Sequence, residues 1–219
     1  MRILLLADIH GNRAALEAVR EPHDLCLVLG DLVDYGPEPA ACVEWVRRHA
    51  HVAVRGNHDH GVAQDVEVQG VGGFRFLTAC TRPFSVAALS AVQRRYLADL
   101  PTSMMLTIEG KRFFLVHATP RDPMDEYAHP DPAFWAPRVA GLGVDYVCVG
   151  HTHQPYTLEG RVEADRLPGG PDGPGAARHD HRRDREGDAD RLVPGRSGHQ
   201  PPRPGVGGAD GRGGLTEVR

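Results

Sequence analysis

The sequence predicts an α/β fold. Apolar runs that read as strands buried on both faces alternate with helical patterns, and each run stops at acidic, amide or imidazole residues. A strand–helix–strand succession implies parallel pairing, because parallel neighbours need a crossover and the helix supplies it.

The elements follow in chain order. "RILLLADIH" (2–10) is the first buried strand, its polar end opening on solvent, and Asn12 can cap a helix carrying Ala15, Leu16 and Val19 on one face. "DLCLVLGD" (24–31) is a second buried strand ending in an acid. Pro37 starts another helix, where Cys42, Val43 and Val46 form an apolar stripe, and "HVAVRGN" (51–57) is a third strand ending at Asn57. Residues 60–84 have no clear period and read as a loop or short helices covering the site, with Phe74 and Phe76 as core or lid packing. Ser90 to Asp99 reads as a helix, with Ser90 and Gln93 spaced as a capping box. "MMLTIEGKRFFLVHATP" (104–120) is a hairpin turned at Glu109 and Gly110, its second strand ending at His117. "VDYVCVGHTH" (144–153) is one more buried strand.

Composition divides the chain. No aromatic residue lies beyond position 160, and residues 161–219 hold 13 Gly, 7 Pro and 11 Arg, so Gly and Pro make 20 of 59. Such a segment buries too little apolar surface to offset its ordering entropy. The expectation is a domain over 1–160 and a tail over 161–219 that is disordered or aberrant. Lys111 is the one lysine beside 24 arginines, which suggests a GC-rich gene, and a shifted frame in such a gene yields Arg, Gly and Pro. A frameshifted tail would leave a sheet edge unpaired and apolar surface uncovered.

Charge limits the partners. Residues 1–160 carry 14 Lys+Arg against 19 Asp+Glu, net −5, and the tail carries 11 against 10, net +1. Neither offers the clustered cations of a nucleic-acid surface, so a small molecule is the expected partner, with a homo-oligomer left open. The apolar run after Arg2 reaches Asp8 too soon for a signal-peptide core or a membrane span, and a cytoplasmic protein is expected. Cys26, Cys42, Cys80 and Cys148 show no CxxC spacing and sit among apolar neighbours, which predicts reduced, buried thiols.

Five strand ends carry the same kind of chemistry: Asp8 and His10, Asp31, Asn57 and His58, His117, then His151 and His153. In an open α/β sheet ligands bind outside the carboxyl ends of the strands, so these residues are expected to converge. On an extended chain side chains at i and i+2 share a side, which predicts that Asp8 acts with His10 and His151 with His153. Carboxylate, imidazole and amide donors without thiolate suit Mn, Fe or Zn better than Cu(I), an iron–sulfur cluster or Ca. Eight ligand-type residues exceed the need of one ion, whereas two ions sharing Asp31 would use them. A metal pair about 3.5–4 Å apart clamps the attacking and leaving oxygens of a phosphoryl displacement.

The ordered segments "DIH", "GDLVD", "GNHD", "VHATP" and "GHTH" resemble the calcineurin-like metallophosphoesterase superfamily over about residues 1–156. "GDLVDYGPEP" and "HATPRDP" are similar to its small bacterial single-domain members, related to YfcE-type phosphodiesterases. The resemblance implies a metallophosphoesterase-type β-sandwich flanked by helices, here with the C-terminal closing strands missing. It implies two divalent ions, Mn foremost, with Fe, Zn, Ni or Mg as alternatives. Asp8, His10, Asp31 and His153 would hold one, and Asp31, Asn57, His117 and His151 the other, with Gly56 allowing the backbone close approach. By the same resemblance His58 faces the substrate and protonates the leaving oxygen, Asp34 orients His58 by accepting its other N–H, and Arg55 is a candidate phosphate contact.

The expected activity is hydrolysis of a phosphodiester or phosphomonoester of a small metabolite, by a metal-bridging hydroxide attacking phosphorus in line. A protein phosphatase or dinucleoside polyphosphate hydrolase is the alternative. Its signature resembles "GDLVDRG", and Tyr35 stands here in place of the phosphate-binding Arg. A catalytically silent scaffold of the same fold is the alternative of another class, disfavoured by the presence of His10 and His58.

Overall fold

The computed structural model describes residues 1–160 and the backbone of 215–218. In chain order the elements are β1 (Ile3–Leu6), α1 (Arg13–Ala18), β2 (Leu25–Val28), α2 (Pro39–His49), β3 (Val52–Ala53) and α3 (Asn57–Ala63). They continue with α4 (Gly73–Ala88), α5 (Ala91–Asp99), β4 (Ser103–Ile108), β5 (Lys111–Val116), α6 (Pro132–Val139), β6 (Tyr146–Cys148) and β7 (Leu215–Val218). One sheet runs β3-β2-β1-β7 and the other β4-β5-β6. As expected, β1 pairs parallel with β2, Ile3 opposite Leu25, and β2 pairs parallel with β3. β4 and β5 form the expected hairpin, with Glu109 and Gly110 at φ of 49° and 78°, and β6 joins β5 in parallel.

β1, β2 and β3 are apolar throughout because both their faces are covered. Leu5, Leu27, Leu29 and Val54 pack with Ile108, Phe113, Leu115 and Cys148 of the second sheet. Leu6, Val28 and Ala53 pack on the other side with Leu16 of α1, Cys42, Val43 and Val46 of α2 and Leu97 of α5. This is the sandwich with flanking helices. Leu27 and Leu115 are essentially inaccessible at 1% and 0%; truncating either to Ala costs about 2–5 kcal/mol in a site this closed. The Asn12 side chain caps α1 by accepting from Ala15 N at 3.0 Å, and Ser90 with Gln93 closes the capping box of α5.

Three expectations change. Residues 60–84 are not short pieces: α4 is a sixteen-residue helix. Its apolar residues Phe74, Phe76, Leu77 and Phe84 are exposed, so no inward apolar stripe marks it and Phe74 and Phe76 are not core. Cys80 lies on this helix and is exposed, unlike the buried Cys26, Cys42 and Cys148. The expected tail falls largely outside the described residues, but 215–218 are a strand antiparallel to β1, so the edge of β1 is paired. Among the described residues no helix is long and apolar enough to cross a membrane.

Candidate metal centre

Each site residue sits one to seven positions beyond a strand, where the backbone turns sharply out of the sheet. Asp8, His10, Asp31, Asp34, Tyr35, His151 and His153 all have positive φ, between 48° and 69°. For non-glycine residues this conformation costs about 1–2 kcal/mol each and persists only where surrounding bonds enforce it. Those bonds are present. Asp8 N donates to Gly30 O, His10 N to Asp31 O and Gly11 N to Leu32 O, so the loops after β1 and β2 are laced together.

The left-handed turns overrule the extended-chain expectation that His151 and His153 share a target. Asp8, His10 and His153 form one group, and Asp31, His117 and His151 another, with the ligand-type atoms of each group within 4.8 Å of one another. Asp31 links the two: its Oδ2 is 3.2 Å from His117 Nε2 and 3.7 Å from His10 Nε2. Asn57 Oδ1 lies 3.1 Å from His117 Nε2, and His153 Nε2 lies 3.0 Å from His10 Nε2 and 3.6 Å from Asp8 Oδ1. Gly56 permits this closeness, since a Cβ there would stand 2.0 Å from Asp31 Oδ1.

The donor set fits divalent cations. His117 Nδ1–H donates to Leu29 O at 2.8 Å and His10 Nδ1–H to Val33 O at 2.9 Å. Both rings therefore present Nε2 to the centre, and the His117 lone pair faces only oxygens, of Asp31 and Asn57. That arrangement repels unless a proton or a metal ion stands between. Without metal the proton takes the place: burial opposes charging His117, but the Asp31 carboxylate outweighs it and lifts the pKa to about 9. Burial holds His10 down at about 4, as the free-lone-pair form a metal requires. Burial, then repulsion from Asp31, raises Asp8 to about 7; Asp31 itself, despite burial, is held below the ordinary carboxylate range by His117.

Asp59, not singled out in the sequence although it closes "GNHD", anchors this geometry. Its Oδ2 accepts from Asp31 N at 2.8 Å and Gly56 N at 3.0 Å, and its Oδ1 from Leu32 N at 2.8 Å. His58 N donates to Asp31 Oδ1 at 2.9 Å, which leaves Asp31 Oδ2 free for an ion, and His151 N donates to Asp8 Oδ1 at 3.0 Å.

His58 sits beside the metal-type groups. Its Nδ1–H donates to Asp34 Oδ2 at 2.8 Å, and Asp34 is fully buried. Arg82, from α4, donates to the same oxygen through Nε at 2.9 Å and Nη2 at 2.6 Å. Burial opposes the charge on His58, but Asp31 and Asp34 outweigh it and raise its pKa. Arg55 makes none of these contacts: its Nη1 donates to Ala98 O and its backbone N to Pro101 O, both at 2.7 Å.

The family described as calcineurin-like phosphoesterase matches residues 1–155. Protein MJ0912 of Methanocaldococcus jannaschii is 32% identical over 162 residues, covering 70% of this chain and 63% of that protein. A metallophosphoesterase from Sphaerobacter thermophilus shares 34% identity at a TM-score of 0.58, over 70% of this chain and 61% of that one. Protein PH1004 from Pyrococcus horikoshii OT3, 21% identical over 68% of each chain, shows the same fold at a TM-score of 0.57. The chain thus spans less than two thirds of the length of the first two relatives. Since the match embraces every strand end from Asp8 to His153, the chain belongs to the calcineurin-like phosphoesterase family.

Proposed function

We propose that this chain is a dinuclear metal-dependent phosphoesterase that hydrolyses a phosphodiester or phosphomonoester of a small molecule. The observation that carries the reading is the bridge: Asp31 Oδ2 stands between His117 and His10, members of two ligand groups whose Nδ1 atoms are tied to backbone carbonyls. Asp8, His10, Asp31 and His153 would hold one ion, and Asp31, Asn57, His117 and His151 the other, with Mn²⁺ the favoured metal on its donor set. When bound, the pair supplies Lewis-acid charge and a water of lowered pKa for attack at phosphorus.

The chain's own residues do the rest. His58 delivers the Nε2 proton to the leaving oxygen, and Asp34 fixes the ring by accepting from Nδ1 at 2.8 Å. Asp34 keeps its charge for this task because Arg82 and His58 hold it below the usual range against the burial that would raise it. The cytoplasm is the compartment this reading favours.

The test is a panel of phosphate esters with Mn²⁺, run on the wild type and on Asp31→Ala. Hydrolysis by the wild type, with loss of both ions and of turnover in the variant, is the expected result. A normal metal count in Asp31→Ala by elemental analysis would refute the shared bridge.

A further inference from the structure

The helix α4 carries a polar stripe that the metal centre does not use. Thr78, Thr81, Arg82 and Ser85 are spaced i, i+3, i+4 and i+7, which puts them on one helical face. All four bond to two residues. Ser85 Oγ accepts from Asp34 N at 3.2 Å, and Thr81 Oγ1 accepts from Tyr35 N at 3.1 Å. Arg82 donates twice to Asp34, and Thr78 Oγ1 lies 3.2 Å from the Tyr35 phenol oxygen. Asp34 and Tyr35 are consecutive non-glycine residues at φ of 64° and 59°. This stripe maintains that costly conformation.

What the conformation achieves is the placement of the phenol. Tyr35 OH lies 3.2 Å from His58 Nε2, the nitrogen that faces a leaving oxygen, and its ring centre is 4.4 Å from that of His10. Thr78 Oγ1 has one proton to share between Phe74 O at 2.9 Å and the phenol oxygen at 3.2 Å, and when it donates to the phenol it holds that oxygen from the helix side and leaves the Tyr35 proton for the centre. An ester oxygen approaching His58 Nε2 must come within reach of this hydroxyl. The half-buried ring therefore does more than pack.

We propose that Tyr35 is a catalytic residue, whose hydroxyl donates a hydrogen bond to the ester oxygen that departs beside His58. The proposal rests on the phosphoesterase reading above. In the step, water forms the new P–O bond and releases one proton to solvent, which later restores the proton His58 gives up, as the bond to the leaving group breaks. The electron pair of that bond stays on the leaving oxygen, which takes the proton from His58 Nε2, while Tyr35 keeps its own proton and stabilises the developing charge. Thr78 is a positioning residue that acts through Tyr35.

The experiment compares Tyr35→Phe with the wild type on a phenyl ester and the p-nitrophenyl ester of the same phosphate, with Mn²⁺ present. A p-nitrophenolate departs with little help, so a hydroxyl on the leaving oxygen should matter mainly for the poorer leaving group. The expected result is a loss of about 10- to 100-fold in kcat/KM on the phenyl ester and about 3-fold or less on the p-nitrophenyl ester, at unchanged metal content and Tm. Thr78→Val should repeat the pattern at smaller amplitude. Equal losses on both esters, no loss on either, or a loss that follows the metal content would overturn the role. Failure of the wild type to turn over either ester with any divalent ion would instead remove the phosphoesterase reading beneath it.

Discussion

His58 carries two demands that its surroundings answer separately. Its Nδ1–H is committed to Asp34 at 2.8 Å, which sets the ring plane, and its backbone N–H is committed to Asp31 Oδ1 at 2.9 Å, which sets its distance from the metal-type groups. The side chain contributes no ligand atom to either group. Removing it should therefore leave the ions in place and remove only the proton donor. His58→Ala is expected to retain a wild-type metal content while turnover on diphenyl phosphate, whose leaving group needs a proton, falls about 10²- to 10⁴-fold, the usual worth of a general acid. Metal content comes from elemental analysis and turnover from phenol release; a fully active variant would take His58 out of the mechanism. Asp34 and Asp31 show how position alone separates two buried carboxylates. One accepts through Oδ2 from an arginine and an imidazole away from the centre, and the other turns an oxygen toward two imidazole nitrogens.

At the scale of elements, α4 is the connection between packing and chemistry. Arg82 reaches Asp34 by passing over Gly61 of α3, where an added Cβ would stand 2.0 Å from Arg82 Nη1. Gly61→Ala must displace the guanidinium, and the buried Asp34 then loses two of its donors. The expected outcome is a destabilisation of about 1–3 kcal/mol in denaturant melts, together with lower turnover at unchanged metal content. Arg82→Met removes the partner outright and should cost about 3–5 kcal/mol, since it leaves a buried carboxylate short of its counter-charge. Wild-type stability in both variants would show that the ion pair does not brace the site. The same helix marks the limit of what the sequence discloses. β1, β2, β3, the β4–β5 hairpin and β6 are legible because continuous apolar runs end in ligand-type residues, and the seven metal-type residues stand at those ends. α4 is hidden because its inward face is polar: a search for apolar period finds none, although Thr78, Thr81, Arg82 and Ser85 repeat with the helical period themselves. The pairing of His151 with Asp31 and of His153 with Asp8 and His10 is implied by the family resemblance but not by the alternation of side chains along a strand. It follows from left-handed backbone at both residues, and strand alternation does not describe such a turn.

For the whole molecule, the centre ties stability to pH and to metal. Asp8 and Asp59, each raised to about 7 by burial and then by Asp31, and His117, lifted by Asp31 to about 9 against its burial, hold protons in the folded chain at pH values where an unfolded chain has released them. Where the folded state binds more protons, stability falls as pH rises, so the metal-free protein should lose stability between pH 6.5 and 9. His117 alone accounts for roughly 3 kcal/mol across that window. Below pH 6.5 two sets of groups oppose each other: Asp8 and Asp59 hold protons that the unfolded chain releases above about pH 4, while burial keeps His10 near 4 and lowers His151 and His153, so that there the unfolded chain binds protons that the folded chain refuses. Divalent ions replace the protons on Asp8 and His117 and favour the folded state by mass action, so their stabilising effect should grow with pH. Thermal melts at pH 6.5 and 9, in chelator and in Mn²⁺, measure both slopes. The expected result is a chelated protein whose Tm drops from pH 6.5 to 9 and a loaded protein whose Tm does not. An equal metal-induced rise in Tm at the two pH values would mean that the ions bind away from Asp8 and His117, because only ligands that exchange a proton for a cation couple the two equilibria.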